Sequence, residues 1–506
     1  MFVSDDHVYS NADGIGFSDF KAKRLDVIFW LLIVLLLIGG VWAARRLGSV
    51  VNPISLFSFG LAAPLAARLL IDSINVDWNN IVRLCVSSVA SQQDYGIVML
   101  TVLGGWLAFC APWARLLYGK PAVIEGGAMP TLSSSFLERN TLPVFALLLI
   151  CYASYSLGQL PLLEMVQGTL DVRVLDISLQ NLPVGVMALI ILATMVYALD
   201  VSDSLLSGRR LSGWEKAISV ILFIFFSVWN GKRQMLLFVM FVFTANYLYR
   251  WDFFPSFRRN KPSPYILLGA VFVLLSSSFV LIDYLRYEKG WSRPLSALAY
   301  LSWPTSNQLS IAEAFGLGGY NAEKTAAFEK AKKAGNGFEC ILADKAVPFV
   351  LQPPANPVYK NNFLHSSLRA FRSLLFKETA KDKLTEAPIV PFVMTEMLPN
   401  RMGAKENAKI VAPVLHEPTS PSGFMTYWWL DGGLPFVMLG CFLFGALSLV
   451  FYRRRHMSPF AWQCYVMTLW AAATSGIYNH FITLIYFWLP IAFIGCRALL
   501  NRVRNA

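Results

Sequence analysis

The sequence predicts an all-α polytopic membrane protein with about eleven (roughly 10–12) transmembrane helices and one large periplasmic loop. The mean hydropathy is +0.51, 56% of the residues are hydrophobic and 15% are charged, whereas soluble proteins carry about 25% charged residues. Apolar stretches recur along most of the chain, with short basic clusters between them. The net charge of +12 therefore indicates the positive-inside pattern of membrane proteins and argues against a nucleic-acid partner.

A window of about 19 residues, the usual length for finding transmembrane helices, identifies the predicted spans. They lie at 25–44, 53–71, 96–114, 142–159, 182–200, 215–229, 235–249, 264–282, 434–452, 460–475 and 480–497. The predicted organisation is a polar N-terminal tail (1–24), a first membrane bundle of about eight spans (25–282), a periplasmic loop (283–433), and the last three spans with a cytoplasmic tail (434–506).

The basic clusters predict the orientation of the chain. They fall on one side of the alternation of spans, and the positive-inside rule makes that side cytoplasmic. An odd number of spans then places the N-terminus outside, although Lys21, Lys23 and Arg24 favour the opposite. The clusters are Arg45/Arg46, Arg115/Lys120/Arg139, Arg209/Arg210/Lys216, Arg250/Arg258/Arg259/Lys261, Arg453/Arg454/Arg455 and Arg497/Arg502/Arg504.

Two adjacent cations interrupt an apolar run at SVWNGKRQMLLF, residues 227–238. Because the basic loops on both sides are predicted to be cytoplasmic, Lys232 and Arg233 are predicted to face the periplasm, against the rule. The flanking apolar runs are only about 13–15 residues long, so we expect the turn to dip below the outer headgroups. A charge held there is costly and indicates a functional site, the alternative being that both side chains reach up to lipid phosphates.

The periplasmic loop is proline-rich, which predicts a mostly irregular segment with short helices. One predicted helix, at about 362–377, has an apolar stripe beside a basic stripe of His365, Arg369 and Arg372. It either lies on anionic headgroups or presents Arg369 and Arg372 to a phosphate-bearing ligand.

Further polar and aromatic residues are predicted to lie on the same outer side. Tyr427 and Trp428 are candidates for stacking on sugar rings, the alternative being an aromatic belt at the membrane interface. Asp431, Gly432 and Gly433 indicate a tight turn into the next helix. The other charged candidates are Arg286, Glu396, Arg401, His416 and His480.

Three features resemble the Wzy-like oligosaccharide repeat-unit (O-antigen) polymerases of bacterial inner membranes. They are the outward turn GKRQMLL (231–237), the DYLRY (283–287) that opens the large loop, and the return PSGFMTYWWLDGGLPFVMLG (421–440). The resemblance implies a multi-pass inner-membrane protein of GT-C-like architecture with its active face in the periplasm. It also implies glycosyl transfer from a glycan on undecaprenyl pyrophosphate to a lipid-linked acceptor, with membrane lipids as further partners and a chain-length regulator left open.

The implied chemistry divides the candidate residues by role. Departure of a lipid pyrophosphate needs cations, a role given to Lys232, Arg233 and Arg286, with Arg369, Arg372 and Arg401 as further candidates. A base must take the acceptor proton, and Glu396, His416, Asp431 and His480 are left unresolved. No cofactor or metal is expected, because the five His are dispersed without metal-binding spacing.

Two other functions fit the same sequence. A lipid-linked glycan ligase or another GT-C-type glycosyltransferase is the nearer alternative. A transporter or flippase for lipid-linked oligosaccharides belongs to another class, and its charges are expected to line helices at mid-membrane. The predicted spans are nearly free of charge, which favours an enzyme.

Overall fold

The computed structural model describes residues 15–73, 92–119, 184–206, 212–224, 233–260, 424–476 and 487–505, with single residues at 144, 145, 148, 151, 263 and 266. All regular structure in these ranges is helical and none of it is strand, which confirms the all-α prediction for the described part of the chain.

The described helices overlap the predicted spans, with bounds that agree closely for some helices and differ by several residues for others. They are α1 (Ile15–Leu47), α2 (Pro53–Ser73), α3 (Gln92–Cys110), α4 (Ala114–Tyr118), α5 (Val184–Leu206), α6 (Gly213–Ile224), α7 (Arg233–Phe253), α8 (Pro255–Asn260), α9 (Phe424–Arg454), α10 (Pro459–Ala473) and α11 (Leu489–Asn505). One turn of 3-10 helix, Ala111–Trp113, joins α3 to α4.

Within the described residues, three helical stretches are long and apolar enough to cross a membrane: Phe29–Leu47, Val98–Tyr118 and Gly433–Arg454. These stretches support a membrane protein. The prediction of about eleven spans also covers segments outside the described residues, among them most of 142–159 and 264–282, and it stays a prediction.

Local sequence signals explain where two of the helices begin. At the start of α6, the Ser212 backbone N–H donates to the Glu215 carboxylate (2.8 Å) and the Glu215 N–H donates to the Ser212 hydroxyl (3.2 Å), a reciprocal capping box. At the start of α10, the Ser458 hydroxyl accepts from the Ala461 N–H (3.1 Å). Pro459 occupies the first helical position, where its missing N–H costs nothing.

Aromatic rings fill the centre of the bundle where α2, α3 and α9 meet. The rings of Phe57 and Phe109 stack with centroids 4.1 Å apart, and Phe444 packs 5.3 Å from Phe109. A Cβ atom at Gly445 would overlap the Phe109 carbonyl group, so glycine at this position allows α3 and α9 to approach closely. The two helices run parallel, since later residues of one contact later residues of the other.

Several basic clusters meet at one end of the bundle, which we call the basic end. α1 stops at Leu47 because Gly48 turns the chain with φ +76°, and Ser49 then donates a hydrogen bond to the Asp252 carboxylate at the end of α7 (2.6 Å). The same end holds the C-terminal ends of α4 and α9, through ring contacts of Trp42 with Tyr118 and of Trp113 with Tyr452. The structure therefore brings together clusters that the sequence assigns to one side.

Two helices extend beyond the apolar runs that predict them. α1 begins at Ile15, so residues 15–24 of the predicted polar tail are helical. α7 has 21 residues, which corresponds to about 31 Å and to the thickness of a bilayer core. Polar residues therefore extend the short apolar run at both ends of α7. This helix is not among the three candidate spans of the described residues, so the depth of the turn around Lys232 and Arg233 stays a prediction. The helix continues because Tyr249 and Arg250 are buried against other helices and do not face lipid.

Candidate functional site

Arg233 lies at the far end of α7 from the basic end. It is the first residue of the helix, and Arg250 and Asp252 lie near the last, so about 25 Å separates the two ends along the axis. No acidic residue occupies the first turn. Free backbone N–H groups and the helix dipole at such a position favour an anion. Lys232, its predicted partner, lies outside the described residues.

The beginning of α9 doubles back on the rest of that helix. Gly433 has φ +70° and Pro435 follows two residues later. A Cβ atom at Gly440 would overlap the indole ring of Trp428, although a straight helix would place these residues about 18 Å apart. Residues 424–432, the folded-back segment, therefore lie alongside the first turns after Gly433.

The folded-back segment is anchored in the bundle by Met425. This side chain is buried and lies beside Cys441 of the same helix and against Gly105 of α3. The segment thus starts at the level of residues 440–441, rises to Gly433 and then descends. The positive φ of Gly433, which glycine adopts readily, agrees with the tight turn predicted for Asp431, Gly432 and Gly433. The helix itself begins earlier than predicted, at Phe424.

Three predicted site residues lie on the folded-back segment: Tyr427, Trp428 and Asp431. Trp428 is partly buried and packs against the hydrophobic core, with its ring over Gly440. One function of this side chain is therefore to hold the segment in place, and stacking on a sugar stays a prediction. The remaining candidates lie outside the described residues: Arg286, Arg369, Arg372, Glu396, Arg401, His416 and His480.

A buried ionic network near the basic end was not predicted. Asp203 of α5 accepts a hydrogen bond from Arg250 of α7 at 2.9 Å. Asp200, one turn earlier, pairs with Arg497 of α11 at 3.1 Å and accepts from the Gln463 amide of α10 at 2.7 Å. Two carboxylates and two guanidiniums thus neutralise each other between four helices. The predicted spans contain few charged residues, but residues assigned to span ends and loops are buried here, so charge also lies inside the bundle.

Neutral hydrogen bonds extend this network across α5, α7 and α10. Asn246 donates to the Ser202 hydroxyl (2.7 Å) and accepts from the Trp462 indole N–H (2.8 Å). Arg250 Nε and Gln463 Oε1 are buried without a hydrogen-bond partner among the residues that the structure describes. The sequence held one signal for the site, since the three-residue spacing of Asp200 and Asp203 places both on one helix face.

A second cluster of polar and aromatic side chains lies at the basic end, beside the ionic network. Arg455 donates to the Tyr249 hydroxyl (2.9 Å) and lies 3.7 Å over the Tyr452 ring, a cation–π contact. The Tyr249 hydroxyl also lies 2.9 Å from His456 Nε2. Burial, and secondly the nearby charge of Arg455, lowers the pKa of His456 to about 4. His456 is therefore neutral near pH 7 and adds no charge to this end.

The described residues contain no group of three or more His, Cys, Asp or Glu side chains that could hold a metal ion. The two paired carboxylates of α5 are instead engaged by arginine and glutamine. Their arrangement supports a structural role in joining helices.

Comparison with known proteins identifies no relative. No protein-family model, curated protein or solved structure matches the chain. The function is therefore proposed from the chemistry and placement of this chain's own residues.

Proposed function

We propose that the chain polymerises undecaprenyl-pyrophosphate-linked oligosaccharide repeat units at the periplasmic face of the bacterial inner membrane. The main support is the position of Arg233 at the start of α7, opposite the arginines of the basic end. If the basic end is cytoplasmic, as predicted, the Lys232–Arg233 pair lies at the periplasmic interface. A membrane-resident pyrophosphate would account for cations there, because guanidinium and helix N–H groups bind phosphate oxygens.

The proposed reaction transfers the growing glycan to the next lipid-linked unit. An acceptor hydroxyl oxygen bonds to the anomeric carbon of the donor, and the bond from that carbon to the pyrophosphate oxygen breaks. The acceptor proton passes to a base. The negative charge on departing undecaprenyl pyrophosphate is stabilised by cations. The base candidates are Glu396, His416, Asp431 and His480, and the cation candidates are Lys232, Arg233, Arg286, Arg369, Arg372 and Arg401.

The folded-back segment also supports a site at the membrane interface. It lies beside the first turns of the candidate span Gly433–Arg454, and therefore at bilayer depth if that span crosses the membrane. Chain that enters the bilayer and returns is stable only where protein or a water-filled cavity surrounds it. The pyrophosphate of a lipid-linked glycan belongs at the headgroup interface, at the Gly433 end of this span, which would place Tyr427 and Asp431 on the segment closest to it.

Reconstitution with a purified undecaprenyl-pyrophosphate-linked repeat unit tests the proposal. We expect a ladder of products with the wild-type chain. Arg233→Ala should slow elongation by about 10²–10³, the usual effect of removing one charge-stabilising donor. The matched control is Arg454→Ala, an exposed arginine at the basic end, which should elongate normally. Unaltered single units with wild type, or normal elongation by Arg233→Ala, would contradict the proposal.

The same reconstitution separates the alternatives. Transfer of the glycan to a different class of lipid acceptor, without a ladder, would indicate a ligase. Movement of intact units across the bilayer, without bond formation, would indicate a flippase. The buried charges of α5, α7 and α11 are the observation that favours transport. Each is paired with an opposite charge, however, so none is left over to bind an anionic cargo.

A further inference from the structure

An aromatic contact joins the ends of two helices at the basic end. The rings of Trp42 in α1 and Tyr118 in α4 lie 5.5 Å apart between centroids. Arg45 and Arg46 follow Trp42 by three and four residues, and Arg115 precedes Tyr118 by three. All three arginines therefore lie within about one helical turn of the ring contact. We call these five residues the arginine–aromatic patch.

The arginines of the patch are exposed and have no acidic partner among the described residues. Arg45, Arg46 and Arg115 are exposed, and no carboxylate with a described side chain forms an ion pair with them. The described carboxylates near this end are already engaged inside the protein: Asp200 with Arg497, Asp203 with Arg250, Glu215 in its capping box and Asp252 with Ser49. The patch therefore presents positive charge to whatever surrounds the protein.

An apolar stripe on α1 leads directly to the patch. Leu31, Leu35 and Ile38 are 61%, 44% and 64% exposed, and their spacing of four and three residues places them on one face. Arg45 follows Ile38 by seven residues and continues that face. The distance from Leu31 to Arg45 is roughly 21 Å along the helix axis, longer than one leaflet of a core about 30 Å thick. The surface of α1 is therefore apolar over the depth of one leaflet and basic at the end that meets the headgroups.

We propose that the patch binds the headgroup of an anionic phospholipid, with the acyl chains lying along the α1 stripe. The arginines bind the phosphate through charge-assisted hydrogen bonds. Trp42 and Tyr118 sit at the headgroup level, where aromatic rings are favoured. A soluble anion would use the arginines but leave the apolar stripe bare, so the combination selects a lipid. Basic sites between membrane helices on the cytoplasmic side bind such headgroups.

Lipid titration of the purified full-length chain tests the proposal. Phosphatidylglycerol is added to the protein in neutral detergent, and bound lipid is counted by native mass spectrometry, with phosphatidylcholine as the uncharged comparison. Arg46→Gln/Arg115→Gln removes one arginine from each helix. Lys216→Gln/Arg259→Gln removes the same charge from exposed residues elsewhere on this end. Each basic residue at a membrane surface contributes about a factor of five in affinity, so the patch variant should bind about 25-fold more weakly.

The control variant should bind phosphatidylglycerol within about twofold of wild type, which is the scatter expected for surface changes. Equal loss in both variants would overturn the proposal, because it would show a general charge effect. Unchanged binding by the patch variant, or equal competition by soluble glycerol phosphate, would overturn it as well. If the double variant does not purify as a folded protein, Arg46→Gln against Lys216→Gln gives the same comparison at about fivefold.

Discussion

Single residues in the ionic network show how buried charges in this bundle are paired. Arg250 and Asp203 are both buried, and neither side chain can reach water without a partner being lost. An isolated charge in such surroundings is far more costly than the pair. The network therefore constrains which residues are tolerated near the basic end.

Asp203→Ala should lower the free energy of unfolding by about 3–5 kcal/mol, because it leaves the Arg250 charge buried and unpaired. Replacing both residues by apolar ones, in Asp203→Leu/Arg250→Met, should cost much less than the sum of the two single changes, since both charges are removed. Reversible unfolding in mixed micelles measures each variant, with Lys216→Ala as an exposed control that should change little. Additive costs would show that the two residues act independently.

The pairing of these residues could not be predicted from the sequence. Asp200 and Asp203 indicate only a shared helix face, while Arg250 and Arg497 resemble ordinary basic residues next to a membrane helix. Which cation meets which carboxylate depends on how four helices pack. By contrast, Arg233 could be singled out from the sequence alone, because a cation pair between two apolar runs is visible without the fold.

At the scale of elements, the folded-back segment is the feature that most alters the predicted organisation. A hydropathy window registers 434–452 as a span and treats the preceding residues as the end of a loop. A hydropathy window reads only local composition. It cannot detect the reversal at Gly433 or the contact of Trp428 with Gly440. The predicted bounds agree within about two residues for α2 and α10. They differ more where helices such as α1, α5 and α11 continue past their apolar runs.

Gly440→Ala should destabilise the protein by about 1–3 kcal/mol through overpacking, because its Cβ atom would overlap the Trp428 ring. Combining it with Trp428→Ala should remove most of that extra cost, since the ring is then absent. Gly96→Ala is the matched control, as a Cβ atom there meets nothing within 4 Å. Unfolding in detergent measures these three variants and Trp428→Ala alone. A Gly440→Ala cost that persists without the Trp428 ring would contradict the fold-back.

For the whole molecule, the two ends of the described bundle differ in proposed role. The basic end gathers the exposed arginines of α1, α4, α8 and α9, and the opposite end holds the start of α7 and the folded-back segment. The sequence predicted this division because positive charge orients membrane proteins along the whole chain. The structure adds the contacts that hold the ends together.

Cysteine labelling tests the sidedness. In a chain with its native cysteines replaced, Met457→Cys places a thiol at the basic end, where residue 457 is 76% exposed. Gly231→Cys places one beside the cation pair. A membrane-impermeant maleimide added to intact spheroplasts should label Gly231→Cys and should reach Met457→Cys only after permeabilisation. The reverse pattern would place the proposed site in the cytoplasm and remove the proposed function.

The ion pair between Asp200 and Arg497 joins residues 297 positions apart. At a synthesis rate of about 5–20 residues per second, Asp200 emerges roughly 15–60 s before its partner exists. During that interval the carboxylate has to be protonated, hydrated or held by another factor, so α5 cannot settle into its final surroundings as it leaves the ribosome. Folding of the bundle is thus completed only when the last helix has been synthesised. A nascent chain cut short before Arg497 carries a carboxylate without its partner, which membrane quality control can recognise.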